Sequence, residues 1–436
     1  MVSRGLGIAL VALVGAMALA ALLVLSGEED PAQAPSADVT VTVALDERVR
    51  TRGSMNGFIH SLDTTLPAEE RVAPLAPRLW RSDAMRAPID RATAFGAQYQ
   101  LVLSDLWGYP QSDWSGRGPP WRDLAAWEQF VRHTARAYRD QPVTWDIWNE
   151  PNDPGFWSGG QRRFFEVYSR ANRVLREELG PDVEIAGPSV SRYAPKWLTT
   201  FLDHCVAERC RVGFLSWHEN PEPADRLDSI SAHLTDGRRR FLEDPRYAGL
   251  GLREIHINEY VGRSDRHRPG EAVSYLQELE SGGADRAAHS CWSREDCAPA
   301  GLDGLLTPGG APRAVWWAHR WYADGAGSRV RAESRDSAVA VLASAGDGRA
   351  RVLLGHAPRR GAGAPAAAPR KRVALRLSGS EPQVRVRAER VAASGEAPMK
   401  PSVVLDRELD PEGGELVVYL PPLAAHEAMQ VIVEPR

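Results

Sequence analysis

Short apolar segments recur through the first two thirds of the chain, each closed by a polar residue or a breaker. Eight of them fall at 55–60 ("MNGFIH"), 77–82 ("PRLWRS"), 98–104 ("QYQLVLS"), 143–149 ("VTWDIWN"), 182–187 ("DVEIAG"), 212–218 ("VGFLSWH"), 253–259 ("REIHINE") and 286–292 ("RAAHSCW"). The longer stretches between them space apolar residues three and four apart. In 123–140, Leu124, Trp127, Val131 and Ala135 share one helical face. Residues 162–179 read the same way, and 311–323 form a last helix. Strand and helix alternating eight times predict an α/β fold, a (β/α)8 TIM barrel. After "DGAGS" at 324–328 the rhythm changes to strands alone, at 329–334, 338–344, 349–356, 372–377, 383–391, 402–407, 415–420 and a final "MQVIVEP". Gly, Pro and Ala turns separate them, and "GAGAPAAAP" at 361–369 is a low-complexity loop. This predicts a C-terminal all-β sandwich domain. An alternating strand at 39–45 is expected to pair into that sandwich, because an isolated strand leaves an open edge.

The N-terminus adds a separate segment. Residues 6–25 run twenty positions without a charge, preceded by Arg4 and followed by "GEED". That length spans a bilayer, and the flanking charges place the N-terminus inside. "AQA" at 32–34 offers small residues for signal cleavage, but the long apolar run favours an uncleaved anchor. The expected layout is therefore residues 1–26 as transmembrane anchor or signal segment and 27–38 as linker. The barrel takes 39–325 and the sandwich 326–436. The body is expected outside the cytoplasm, secreted or held at the bacterial membrane.

Net charge is −4 over 436 residues, with no basic block interleaved with aromatics, so a nucleic-acid partner has no support. Trp is abundant, at 14 residues. Trp107, Trp114, Trp121 and Trp157 follow the third and fourth strands and are expected to supply part of a ligand surface. Four cysteines form two close pairs, Cys205 with Cys210 and Cys291 with Cys297. Their spacing is wider than the two intervening residues of most zinc fingers. In an exported protein two local disulfides are expected. His133, His204, His233 and His256 lack metal-ligand spacing, so neither a metal nor a cofactor is expected.

Chemistry in such a barrel sits at the C-terminal ends of the strands. Glu150 follows the fourth strand in "TWDIWNEPN", and Glu259 ends the seventh in "EIHINEY", in step with Ile255 and Ile257. Two carboxylates aimed at one cavity are the equipment of glycoside hydrolysis. His60, ending the first strand, is a further candidate hydrogen-bonding group for a sugar hydroxyl.

"WNEPN" at 148–152 and "NEY" at 258–260 resemble the clan A glycoside hydrolases, and within them family 39, over residues 39–436. That family includes β-xylosidases, α-L-iduronidase-like enzymes and exopolysaccharide endoglycosidases. The resemblance implies a retaining mechanism with Glu150 as acid/base and Glu259 as nucleophile. It puts Asn149 at the sugar 2-hydroxyl and His218 at the rim of the sixth strand. It makes Trp292 a sugar-stacking ring, and Arg81 the residue that steers the nucleophile, with Arg78 as a competing alignment. The family's Tyr two residues after the rim His is replaced by Asn220. Since Asn149 and Glu150 are adjacent yet both address the sugar, strict strand alternation must end there. The expected function is retaining hydrolysis of O-glycosidic bonds in an extracytoplasmic oligo- or polysaccharide, exo- or endo-acting. The alternative is a catalytically silent carbohydrate-binding protein on the same fold.

Overall fold

The computed structural model describes residues 36–83, 89–103, 119–221, 227–358 and 368–436. The candidate anchor at 6–25, nearly all of the linker, Trp107, Trp114 and most of the low-complexity loop lie outside the described residues. Among the described residues no helix is long and apolar enough to cross a membrane.

Strand β1 (Val39–Arg48) precedes the barrel. The barrel is built from β2 (Gly57–Ile59), β3 (Leu79–Asp83), β4 (Gln98–Val102), β5 (Val143–Asp146), β6 (Ile185–Val190), β7 (Phe214–Glu219), β8 (Glu254–Tyr260) and β9 (Arg286–His289). These strands pair in parallel and in sequence order, and β9 returns to β2 through Phe58 and His289 to close the barrel. The strands are buried along nearly their whole length, as expected where a parallel sheet is covered on both faces. The eight apolar segments of the sequence correspond one to one with β2–β9.

The described helices are α1 (Glu69–Val72), α2 (Ile89–Ala94), α3 (Leu124–Ala137), α4 (Gln161–Leu179), α5 (Pro195–Ala207), α6 (Ile230–Gly237), α7 (Pro269–Gly282) and α8 (Ala314–Gly325). Helix α3 shows why the pattern was readable. The Asp123 carboxylate caps it by accepting from the Ala126 N–H at 2.9 Å. Trp127, Val131 and Ala135 are fully buried against the barrel wall. Each large side chain of this kind contributes roughly 2 kcal/mol by leaving water.

The remaining strands are β10 (Arg329–Ser334), β11 (Val339–Gly346), β12 (Arg349–His356), β13 (Val373–Ser378), β14 (Val384–Val391), β15 (Ser402–Leu409), β16 (Glu415–Tyr419) and β17 (Ala428–Pro435). They join β1 in one nine-stranded sheet of order β15-β14-β17-β12-β11-β10-β1-β13-β16. β1 runs antiparallel to β10 and parallel to β13. Val384 and Val386 near one end of this order share a core with Leu416 and Val418 at the other. The sheet is therefore rolled over on itself into a sandwich.

Barrel and sheet belong to one compact unit, Asp38–Arg436. Helix α7 is the joint. Its residues are buried along nearly the whole length, and it packs against β12 through two glycines. A Cβ on Gly270 would lie 2.5 Å from the His356 carbonyl oxygen, and one on Gly355 2.5 Å from the Gly270 carbonyl oxygen. No larger residue fits either place without moving backbone.

Candidate active site

The site begins with departures from strand alternation. Along β8, Asn258 crosses the barrel interior to Asp146 of β5, while Ile255 and Ile257 join the main apolar core with the surrounding helices. The expected sharing of a face by Ile255, Ile257 and Glu259 does not hold. Trp217 pairs with Ile257 and His218 with Glu259, so β8 carries one extra residue, a bulge, at Asn258. The bulge turns Glu259 inward beside Asn258. A second register shift sets Ser189 of β6 between Pro188 and Val190 as the unpaired residue. Ser189 and Glu150 both take left-handed backbone, with φ of 54° and 47°. His60 (φ 50°) and Val261 (φ 96°) do the same at the ends of β2 and β8. Non-glycine residues store strain in that region, and such strain clusters at functional rims. For Glu150 it supplies the break in alternation that Asn149 and Glu150 together required.

These turns bring five of the expected residues into one network. The Arg81 guanidinium on β3, 2% exposed, donates through Nη1 to Glu259 Oε1, through Nη2 to Asn149 Oδ1 and through Nε to Asp146 Oδ2, each at 2.8 Å. It fixes the Asn149 amide, leaving Nδ2 as the end available to donate. Arg78, the competing alignment, instead reaches the Arg52 carbonyl at 2.6 Å, just outside the opposite end of β3. His218 Nδ1 lies 2.8 Å from Glu150 Oε1 and 3.8 Å from Glu259 Oε2. Burial pushes the His218 imidazole down to about 4, so it is neutral at ordinary pH. Its Nε2 has no hydrogen-bond partner among the described residues. The Nδ1–H tautomer leaves a lone pair rather than an N–H unmatched, and lets His218 donate to Glu150.

Glu150 and Glu259 present carboxylate oxygens within 4.8 Å of each other. Their environments differ. Glu150 is pushed up to about 7, first by burial and then by the Asp153 carboxylate, against the pull of Arg81. Glu259 is ion-paired to Arg81 at 2.8 Å. A carboxyl held protonated by burial thus faces a carboxylate ion-paired to Arg81 across a short gap. Glu150, His218 and Glu259 also have ligand atoms close enough for a metal ion. The buried guanidinium against Glu259 disfavours a second cation there.

Other expected residues make contacts of their own. Trp292 is half-buried and donates from Nε1 to the Val261 carbonyl at 3.0 Å. The ring Nδ1 of His60 lies 3.3 Å from Ser82 Oγ. Asn220, in the place of the family's Tyr, accepts from Ser290 at 2.9 Å and so ties the loops after β7 and β9. Trp157 is a core residue, 5% exposed, in edge contact with Trp148 and Trp121.

The disulfides divide. Cys291 and Cys297 are bonded, closing the loop that carries Trp292. Asp296 in that loop is held by Arg313 at 2.9 Å and Arg266 at 3.0 Å. Cys205 and Cys210 are not bonded, contrary to expectation. Both thiols are buried in the main core, Cys205 with Leu198, Phe201 and Leu202 of α5. Burial, then the neighbouring Cys210, pushes the Cys205 thiol well up. They pack as small hydrophobes.

Sequence reasoning missed Asp146, Ser189 and Asn258. Asp146 was visible as a carboxylate inside an apolar strand, "VTWD". The bulges that expose Ser189 and Asn258 leave no mark in the residue pattern.

Comparison with known proteins bears on the same region. Residues 110–235 match the family model Glycosyl hydrolases family 39. The matched segment holds Asn149, Glu150, Ser189 and His218. A beta-xylosidase of Geobacillus stearothermophilus is 30% identical over 113 residues, covering 24% of this chain and 22% of its own length. The match thus spans about a fifth of that curated relative. Solved structures extend the likeness in fold. A protein of Neocallimastix frontalis superposes with a TM-score of 0.74 at 19% identity, over 91% of this chain and all of its own. The GH39 enzyme of Xanthomonas axonopodis pv. citri gives 0.68 at 15% identity, over 94% and 99%. Likeness to family 39 in sequence therefore lies in the central segment, and the solved structures show a likeness of fold over the barrel and sheet.

Proposed function

We propose that this protein is a retaining glycoside hydrolase acting outside the cytoplasm on an oligo- or polysaccharide. The observation that carries the reading is the carboxyl pair, with oxygens within 4.8 Å, in which Glu150 is raised to about 7 and Glu259 is paired with Arg81. Glu150 protonates the departing glycosidic oxygen while Glu259 attacks the anomeric carbon to form a glycosyl-enzyme. Glu150, now a carboxylate, then takes a proton from water as that water breaks the ester. Asn149 donates to the sugar hydroxyl beside the reacting carbon, and Trp292 offers a face for stacking. The bonded Cys291–Cys297 pair supports an oxidising compartment, as does the charge-free run at 6–25. An aryl β-xyloside is the first substrate to offer, because the 30% identical relative is a beta-xylosidase.

The test is the stereochemistry of the first sugar released, followed by NMR. Retained configuration supports the reading and inverted configuration refutes it. Glu259→Gly should abolish turnover and, with azide, give a glycosyl azide of inverted configuration. Glu150→Ala with azide should give one of retained configuration. A folded protein that binds sugars yet leaves every aryl glycoside and polysaccharide intact is the silent binding protein instead.

A further inference from the structure

Behind Arg81 lies a third carboxylate to which the proposed mechanism assigns nothing. Asp146 is 0% exposed in the barrel interior. Arg81 Nε donates to its Oδ2 at 2.8 Å, and Asn258 Nδ2 donates to the same oxygen at 3.1 Å. The Ser189 hydroxyl lies 2.9 and 3.0 Å from its two oxygens. The chain of donors continues outward. Asn258 Nδ2 also donates to Ser189 Oγ at 2.8 Å. Ser216 Oγ accepts from the Ser189 N–H at 3.1 Å and lies 2.9 Å from Ser189 Oγ, to which its own proton is directed. Three strands besides β5 thus contact one carboxylate, two of them through the bulged residues Ser189 and Asn258, and β7 joins behind them through Ser216.

We infer that Asp146 is a positioning residue for the reaction, a buried counter-ion that holds Arg81 so that one guanidinium sets both Glu259 and Asn149. The geometry is a relay. Nε of Arg81 is fixed from behind by Asp146, and the planar fork then presents Nη1 and Nη2 at set angles to the nucleophile and to the Asn149 amide. Without the rear anchor the guanidinium can rotate, and both partners move together. Burial pushes the Asp146 carboxyl up, while Arg81 and Ser189 pull it down. Every group facing it can donate, so the ionised form uses every contact. Its charge also offsets that of Arg81 within the site. The charges that bear on Glu150 are Asp153 from its own loop, which raises it, and Arg81 from β3, which lowers it, with Glu259 of β8 within 4.8 Å and neutral His218 of β7 in contact; Asp146 of β5 acts through Arg81. Removing the Asp146 charge therefore leaves Arg81 offset by Glu259 alone and favours ionised Glu150.

This inference rests on the glycosidase reading, and the experiment separates the two. Full-length wild type and Asp146→Asn are assayed on the aryl glycoside that wild type turns over, across pH 4 to 9, with circular dichroism to confirm folding. The amide keeps the shape but turns an N–H₂ toward donors and removes the charge. The expected result is a fall in kcat/KM of roughly ten- to a hundredfold. The alkaline limb of the pH profile should move down by roughly half a unit or more. Ser189→Ala, which removes one donor and keeps the backbone, should show the same two effects at smaller size. It also serves if Asp146→Asn does not fold. A purely structural role for Asp146 lowers melting temperature and leaves the limb in place, and that outcome in either folded variant overturns the inference. Wild type inert on all glycosides overturns the glycosidase reading and this inference with it; active wild type with unshifted variants overturns the inference alone.

Discussion

Glu150→Gln should make the protein more stable at alkaline pH and leave it nearly unchanged in acid. The Glu150 carboxyl is raised from 4.5 to about 7, chiefly because burial penalises its charged form. A group raised in the folded state stabilises that state below its unfolded pKa and loses the contribution as pH climbs through the folded one. For Glu150 the window is about pH 4.5 to 7. The shift of about 2.5 units corresponds to about 3 kcal/mol at 1.36 kcal/mol per unit. Wild type should carry that whole penalty at pH 8 and less than about 1 kcal/mol of it at pH 5. Gln is neutral at both pH values and still meets His218 Nδ1 with an amide. The assay is urea unfolding of both proteins at pH 5 and pH 8. The variant's advantage should widen by about 2 to 3 kcal/mol between them while hydrolysis needing a proton donor is lost. An advantage of the same size at both pH values refutes the reasoning, since it would mean that charging Glu150 in the folded site costs nothing.

Asp153→Asn removes the like charge that helps raise Glu150, so the alkaline limb of kcat/KM should move to lower pH, with Arg81 and burial left in place. Alkylation of denatured, non-reduced protein should label two thiols, Cys205 and Cys210, and mass spectrometry should find Cys291 and Cys297 linked. Cys297→Ser opens a short loop and should cost about 2 kcal/mol of stability, read by urea unfolding. Gly270→Ala sets a Cβ 2.5 Å from a backbone oxygen across the joint between barrel and sheet. It should destabilise by roughly 1–3 kcal/mol and be seen as a lower melting temperature.

The sequence made the barrel legible because each strand, buried on both faces, must be apolar throughout and each helix apolar on one side. Eight such units in order leave little choice of topology. Glu150 and Glu259 were legible because carboxylates ending apolar strands need a purpose. What stayed hidden was parity. Asn258 and Glu259 both turn inward only because β8 holds one residue more than β7, and that surplus exists between strands rather than within one. The same limit hid Ser189. Cys205 and Cys210 misled for a related reason. Their spacing suits a bond, but the buried face of α5 takes both thiols into the core, a matter of tertiary packing.

The position of β1 in the sheet bears on how the chain acquires its shape. Among the described strands the first, β1, lies between β10 and β13, and the last, β17, lies between β12 and β14. No N-terminal fragment can complete the sheet. β1 waits for its neighbours while the entire barrel is synthesised, and a chain ending before Ala428 leaves β12 and β14 with facing unpaired edges. Such long sequence separation slows folding and leaves strand edges open to other chains in the interval. β10 and β13, which flank β1, are made before β17, so the last eight residues of sheet close the gap between β12 and β14 after the earliest ten have found both partners.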